Sequence, residues 1–302
     1  MIPSAKPPFL IGSRKDPKKL KMPMTPEFDT TKMTPADHAA LMDAVRRLER
    51  IGLAMRVSNM LGRKLNAAKS FAPEQMTKIV DGAAMAAMRV ALRTAIASLA
   101  GKPLQNRNRA HKFMVAASGA AGGALGLLSL PVELPVTTTL MLRAIADIAR
   151  AEGEDISDPE AALACLEVFA LDGREASASV SESGYFAIRG LLARTVSEAA
   201  RYVATRGIID ETAPALVRLL GQIGSRFGGV VGQKFLAQAT PALGAVGGAA
   251  INVAFIDHFQ SLAKGHFTVR RLERKYGGVY VRDEYQRIAG ARTPDEIASP
   301  AA

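Results

Sequence analysis

The amino-acid sequence predicts an all-α protein built as a single multi-helix domain. Apolar residues fill 48% of the 302 positions, but aromatic residues fill only 5% and tryptophan is absent, so the core must consist mostly of Ala, Leu, Val, Ile and Met. Such a core suits helices that approach closely over small residues better than it suits packed sheets. Only residues 278–281 resemble a strand. We expect the domain to be built around apolar helical hairpins rich in Gly and Ala.

The two ends of the chain are expected to lie outside this domain. Residues 14–21 (RKDPKKLK) hold five basic residues and one acid, which is typical of a solvated arm. A basic arm of this kind could also attach to acidic lipid headgroups. We therefore predict a basic flexible tail over residues 1–33, a helical domain over 34–282 and a flexible C-terminal tail over 283–302.

Helix-start signals mark the first predicted helix. Thr34 supplies a capping hydroxyl, a proline follows it, and Asp37 places an acid in the first turn. Apolar residues then recur at helical spacing as far as Leu61, and Gly62 is the predicted end.

Further helices are predicted along the rest of the chain. Asp158 and Pro159 form a second cap-and-proline start, and the helix they begin should continue to about residue 171. An acidic turn at residues 151–155 precedes it. The remaining predicted helices cover about residues 73–100, 186–205, 213–222 and 266–276, the last of which is strongly basic.

The most unusual stretch runs from residue 113 to residue 149 and carries very little charge. Pro131 and Pro135 interrupt it, and Glu133 between them is the only charged residue before Arg143. We predict two apolar helices that meet at a proline-edged bend with Glu133 at its tip. Glu133 is then either a solvent-exposed bend residue or a carboxylate that lines a pocket or contacts headgroups. Arg143 would require a paired acid if the second arm is buried.

A second uncharged run, residues 235–256, resembles the first in its small residues, internal proline and paired glycines. Glycines four residues apart lie on one helix face, where a second helix can approach closely. The predicted packing glycines are Gly119, Gly122, Gly123, Gly126, Gly244 and Gly248. We interpret them as packing residues because the Gly-Lys-Ser/Thr ending of a phosphate-binding loop is missing.

No complete catalytic or metal-binding motif is present. The Gly-x-Ser-x-Gly nucleophile pattern lacks its first glycine at Ser118, and Cys165 lies among apolar residues, as inert packing cysteines do. The four histidines lack metal-ligand spacing, so we predict no metal and no cofactor. The candidate pocket or hairpin-tip residues are Glu133, Arg143, Asn252, Asp257 and His258. The last two are adjacent, so a helix would point them to different sides.

The net charge of +11 could reflect binding to an anionic membrane surface or to nucleic acid, or it could serve only to keep the protein soluble. Nucleic acid is disfavoured because no stacking aromatics lie beside the basic clusters. The single cysteine excludes an intramolecular disulfide and fits a reducing cytoplasm. No secretory signal and no confident spanning helix are recognisable, so we expect a cytoplasmic protein that can contact the inner face of the cell membrane.

Several blocks of the sequence together resemble the EcsC family, which is named after a protein encoded beside an ABC-transporter pair. The blocks are residues 122–127, 133–135, 142–149, 153–155, 165–169, 241–249 and 271–277, with Asn252 and Phe267. The resemblance covers about residues 38–280. It implies a bacterial, all-helical protein of undetermined biochemistry, described sometimes as membrane-associated and sometimes as a hydrolase. It carries over no catalytic residue.

Two functions stay open on the sequence. The first is a non-catalytic, peripheral membrane protein of the EcsC type, linked to a transporter or an envelope process. The second is a hydrolase that acts on a lipid-like or other hydrophobic substrate in a pocket between the apolar helices. The hydrolase hypothesis requires that at least two of four candidate residues converge in one cavity. These candidates are Cys165, Glu133, Asp257 and His258. A third, weaker reading from charge alone is a helical adaptor for a transporter or nucleic acid.

Overall fold

All regular elements of the described part of the chain are helical, as predicted, and no strand occurs there. A computed structural model describes residues 33–50, 52, 74–98, 130–172, 184–206, 213–238 and 244–291. Its α-helices, numbered here in chain order, are α1 (Pro35–Leu48), α2 (Glu74–Ser98), α3 (Leu130–Ala151), α4 (Pro159–Glu167), α5 (Gly184–Arg206), α6 (Pro214–Gln238), α7 (Gly244–Tyr276) and α8 (Gly278–Gly290). A 3-10 turn, Val168–Ala170, extends α4.

The longest of the described helices, α7, organises the bundle. Its 33 residues span about 50 Å, and α1, α3, α6 and α8 all pack against it. Near its middle, Phe255 and Phe259 contact Phe227 of α6, and Phe169 contacts both Phe227 and Phe259. All four rings are fully buried. Aromatic pairs of this kind add about 0.5–1.5 kcal/mol each to the free energy of burial, so the few rings of this chain stabilise its centre.

The predicted helix starts at α1 and α4 are confirmed. The Thr34 hydroxyl accepts a hydrogen bond from the backbone N–H of Asp37 at 3.2 Å, and Asp158 Oδ1 accepts one from the N–H of Glu160 at 2.9 Å. α1 ends at Leu48. The predicted continuation of this helix to Gly62 is therefore wrong, although residue 62 itself lies outside the described residues. α2 and α5 match their predicted ranges closely, whereas α6 continues well beyond its predicted end.

The proline-edged bend is wrong in its predicted position, because α3 runs through it. The helix begins at Leu130, so Pro131 lies in the first turn and Pro135 lies inside the helix. The first N–H groups of a helix have no intrahelical partner, so a proline there costs no hydrogen bond. Glu133 is therefore a half-buried residue of the first turn. The first arm, residues 113–129, lies outside the described residues, and the hairpin stays a prediction.

The predicted strand at residues 278–281 is wrong, because these residues begin α8. Val281, Tyr285 and Ile288 are buried at helical spacing. A four-residue apolar run does not distinguish strand from helix, and packing of α8 against α7 and α1 decides for the helix. α8 continues to Gly290, so the first eight residues of the expected C-terminal tail belong to the folded domain.

α2 and α6 run antiparallel along a face of small residues. A Cβ atom added at Gly224 would lie 3.0 Å from the Met85 side chain, and one added at Gly232 would lie 3.7 Å from the Val80 side chain. The partner on α2 moves toward the start of that helix as α6 proceeds. α6 therefore ends beside the beginning of α2.

α3 and α7 run parallel, with their beginnings side by side. Asn252 Nδ2 lies 3.3 Å from Glu133 Oε1 near the start of both helices, and Thr268 Oγ1 lies 3.1 Å from Glu152 Oε1 beyond the end of α3. Only residues 239–243 separate α6 from α7, so those two helix ends lie within about 20 Å of each other. α2, α3 and α7 thus begin, and α6 ends, at one end of the bundle, which we call the apolar end. The opposite end, where α7 ends, is called the charged end.

Candidate functional site

The charged end is joined by ion pairs from the last turns of α7. Four cationic side chains occur within six residues of sequence: Arg270, Arg271, Arg274 and Lys275. Cations near the C-terminus of a helix also interact favourably with its dipole. Their acidic partners come from the start of α1 and from the turn after α3.

Asp37 links the start of α1 to the end of α7. Its carboxylate accepts hydrogen bonds from Lys275 Nζ at 2.7 Å, the Tyr276 hydroxyl at 2.7 Å and Arg271 Nη1 at 3.1 Å. The bonds from Lys275 and Tyr276, with a smaller contribution from Arg271, hold the pKa of Asp37 well below its usual range despite burial. Asp37 therefore stays ionised and keeps the two helices in register.

Glu154 links the turn after α3 to α7. Arg270 donates to its two carboxylate oxygens at 2.8 and 3.1 Å, and Arg274 donates to the same carboxylate. Burial raises the pKa of Glu154, but the two arginines more than offset burial and the pKa is lowered. Gly153 has a φ of 81°, a conformation that side-chain-bearing residues rarely adopt, and it allows the tight turn that presents Glu154.

An open cleft of about 700 Å³ lies beside this turn. Its lining residues come from the turn, from α4 and from α7, and they are Gly153, Glu154, Asp155, Asp158, Glu160, Ala161, Arg270, Glu273 and Arg274. The cleft thus brings five carboxylates together with two guanidinium groups.

The cleft keeps an excess of negative charge after its own ion pairs are formed. Glu154 takes both guanidinium groups of the lining, and Glu273 pairs with Arg189 behind the cleft. Three exposed carboxylates then form no ion pair with any residue that the structure describes: Asp155, Asp158 and Glu160. A cationic group is therefore the ligand that this cleft would favour.

A buried polar chain lies behind the cleft. Arg189 donates to both carboxylate oxygens of Glu273 at 2.8 and 2.7 Å, and to the Tyr185 hydroxyl at 3.4 Å. The Tyr185 oxygen lies 3.0 Å from Nδ1 of His266, which is completely buried. Burial, reinforced by Arg189, lowers the pKa of His266 well below its usual value, so its imidazole is neutral. This chain links Glu273 in the cleft wall to His266 in the interior.

Glu167 is a buried acid on the same side of α4 as the exposed Glu160, since seven residues are close to two helical turns. Burial raises the pKa of Glu167 to about 7, although Arg189 and Arg270 lower it in part. Its Oε1 atom has no hydrogen-bond partner among the described residues. The Oε1 atom of Glu167 can therefore still accept a proton or a hydrogen bond.

Two predicted site residues, Glu133 and Asn252, are brought together by the structure. Their side chains lie 3.3 Å apart between α3 and α7, with Asn252 fully buried and Glu133 half-buried. This polar contact lies near the apolar end.

His258 and Asp257 point to different sides of α7, as predicted: Asp257 is exposed and His258 is buried. His258 Nε2 lies 2.8 Å from Oδ1 of Asp172, a residue that the sequence did not indicate. The distance is that of an ion pair, but the ring N–H is not aligned for a hydrogen bond. Both side chains are buried, so the pair fastens α7 to the segment after α4.

Arg143 and Cys165 both line a narrow cavity. Arg143 is exposed, so it needs no buried acid. The Cys165 thiol is buried and donates to the carbonyl of Ala161 at 3.4 Å. Burial raises the pKa of Cys165 to about 12, which makes the thiol a packing group rather than a nucleophile.

The condition set for a hydrolase is not met by the described contacts. Glu133 contacts Asn252, His258 contacts Asp172, Cys165 lines the narrow cavity and Asp257 is exposed. The cavity with Cys165 contains none of the other three.

The predicted packing glycines fall mostly where the structure gives no contacts. The set Gly119 to Gly126 lies outside the described residues, and Gly244 and Gly248 lie in the first turns of α7. The glycine face with described contacts is instead Gly224, Gly228 and Gly232 of α6. Its four-residue spacing was visible in the sequence and could have identified it.

The sequence did not predict the cleft, although it indicated both of the segments that line it. The acidic turn and the basic helix at residues 266–276 are more than 100 residues apart in sequence, and their pairing follows from the parallel packing of α3 on α7.

Two absences apply to the described ranges. No three His, Cys, Asp or Glu side chains are grouped there to hold a metal ion. No described helix combines the length and apolarity needed to cross a membrane.

The fold and these contacts define a class of protein: a helical bundle with one ion-paired end, an acidic cleft and a buried polar chain. The chain belongs to the EcsC protein family, whose family model matches residues 31–272. This match confirms the resemblance found in the sequence. No curated protein and no solved structure matches the chain significantly.

Proposed function

We propose that this EcsC-family chain is a non-catalytic protein that binds an anionic membrane surface peripherally through its apolar end. The observation that carries the proposal is topological. The first uncharged run leads into the start of α3, and the second includes the end of α6 and the start of α7. The described parts of both runs, residues 130–132 of the first and residues 235–238 and 244–256 of the second, therefore lie toward the same end of the bundle.

At the apolar end, the starts of α3 and α7 carry few charges, whereas the first two turns of α2 carry Glu74, Lys78 and Asp81. The first charged residue of α7 is Asp257, about 20 Å from the start of that helix. Exposed apolar side chains occur near this end as well, at Ile79 of α2 and Val136 of α3. Helices that lie on a bilayer bury apolar groups about 5–10 Å deep, which the apolar end can supply without a spanning helix.

The distribution of charge supports the same orientation. The dense ion pairs are at the charged end, and the net charge of +11 favours an anionic surface over a neutral one. A transporter or envelope partner at the inner face of the cell membrane is compatible with this orientation.

Liposome flotation of the full chain tests the proposal. We expect the chain to float with anionic vesicles, and Val136→Glu to lower the bound fraction by roughly five- to tenfold, since it removes apolar contact and adds a repelled charge. Val279→Glu is the matched control, because Val279 is 78% exposed on α8 and lies away from the apolar end. Equal flotation of the two variants would contradict the proposal. So would failure of the parent chain to float with either anionic or neutral vesicles.

A further inference from the structure

The acidic cleft at the charged end has room and charge for a cationic occupant. Its volume is about 700 Å³, and Asp155, Asp158 and Glu160 are exposed on its rim. Asp155 and Asp158 each use one oxygen to cap a neighbouring backbone N–H, at 2.9 Å in both cases. Their second oxygens and the Glu160 carboxylate remain available to a donor from outside the described residues.

A fourth carboxyl group lies behind this rim. Glu167 is buried on the Glu160 side of α4, and its electrostatic neighbours include Arg270 and Glu273, which line the cleft. Its Oε1 atom lacks a described hydrogen-bond partner. Glu167 does not itself line the cleft, so the carboxylates open to an occupant are the three on the rim.

The N-terminal segment reaches the domain at this same end. The backbone N–H of Met33 donates to the Tyr280 hydroxyl at 3.3 Å, and that of Thr34 donates to the Tyr276 hydroxyl at 3.3 Å. Arg271 then bridges Asp37 of α1 to the turn after α3. The chain therefore enters the bundle next to the turn that forms one wall of the cleft.

We propose that residues 14–21 dock in the cleft of the same molecule, with their Lys and Arg side chains on Asp155, Asp158 and Glu160. The segment carries five basic residues and one acid, which complements the excess of carboxylates. The 12 residues from Lys21 to Met33 can span up to about 40 Å, so the tether reaches the cleft. Tethering also supplies a high effective concentration. The proposal does not depend on membrane binding.

Limited trypsin digestion of the full chain, without lipid and at low salt, tests the docking. Cleavage after Lys18, Lys19 and Lys21 is followed by mass spectrometry at early times. Because exposed ion pairs contribute little individually, we expect about twofold faster cleavage in Asp155→Asn and about five- to tenfold in the triple variant. The triple variant combines Asp155→Asn, Asp158→Asn and Glu160→Gln, which keep the shapes and caps.

Asp283→Asn is the matched control, because Asp283 is an exposed acid of α8 outside the cleft. Carbodiimide cross-linking of the parent chain gives a second measurement. We expect amide bonds from the tail lysines to residues 155–160 in the monomer band. Equal cleavage of parent and triple variant, cross-links spread over other acids, or cross-links confined to dimers would overturn the proposal. The proposal would also be overturned if the tail lysines were protected from trypsin only when anionic vesicles are present. The same holds if carbodiimide couples added spermidine to residues 155–160 but couples no tail lysine there.

Discussion

Replacing Glu167 with Gln should remove a destabilisation that grows as the pH rises. The native pKa of Glu167 is raised to about 7 because the carboxyl is buried, whereas the usual value is 4.5. Between these values the native state holds a proton that the unfolded state has released. The free energy of unfolding contributed by this group therefore falls as pH rises from about 4.5 to about 7, and it stays low above that range.

The size of the effect follows from the gap between the two pKa values. A shift of one pKa unit corresponds to about 1.4 kcal/mol, so the gap gives about 3 kcal/mol. Gln keeps the shape of Glu and cannot ionise. We expect the stability difference, variant minus parent, to be about 3 kcal/mol more favourable at pH 8.5 than at pH 4.

Urea unfolding followed by circular dichroism at several pH values measures this difference. Taking the difference between variant and parent cancels the pH dependence that the other acids contribute. Glu154 and Asp37 are among them, because their lowered pKa values mean that the protein loses stability as they become protonated in acid. Asp283→Asn, which neutralises an exposed acid of α8 outside the surroundings of Glu167, controls for the loss of a carboxylate. A difference that changes by less than about 1 kcal/mol between pH 4 and pH 8.5 would refute the buried environment assigned to Glu167.

Three further outcomes are expected. Gly265→Ala should lower the free energy of unfolding by about 1–3 kcal/mol, because the added Cβ would lie 2.7 Å from Leu48 Cγ; Gly190→Ala, with open space around it, should be neutral or gain up to about 1 kcal/mol in the same denaturation assay. Asp37→Asn should cost roughly 1–2 kcal/mol at pH 7 and much less near pH 2, since the lowered pKa gives stability that disappears as the acid becomes protonated; a pH-independent cost would contradict the ion pairs. The Cys165 thiol should react with a maleimide reagent only after unfolding, so rapid labelling of the native chain at pH 7 would disprove its burial.

The fold class and the starts of α1 and α4 could be predicted from the sequence alone. Thr34 and Asp158 cap helices through hydrogen bonds to N–H groups two or three residues away, so their neighbours suffice to identify them. The spacing of apolar residues is equally local, and it predicted the ranges of α2 and α5 closely. The sequence also predicted that Asp257 and His258 point to different sides, because adjacent residues on a helix must do so.

Which distant residues meet could not be predicted, because it depends on how the helices pack. Glu154 and Arg270 are 116 positions apart, and the parallel packing of α3 on α7 brings them together at the cleft. The same holds for Asp172 beside His258 and for the buried surroundings of Glu167, whose desolvation no local pattern reveals. Short-range signals fix helices because their hydrogen bonds are local, whereas a site depends on how those helices pack, and packing is a property of the whole chain.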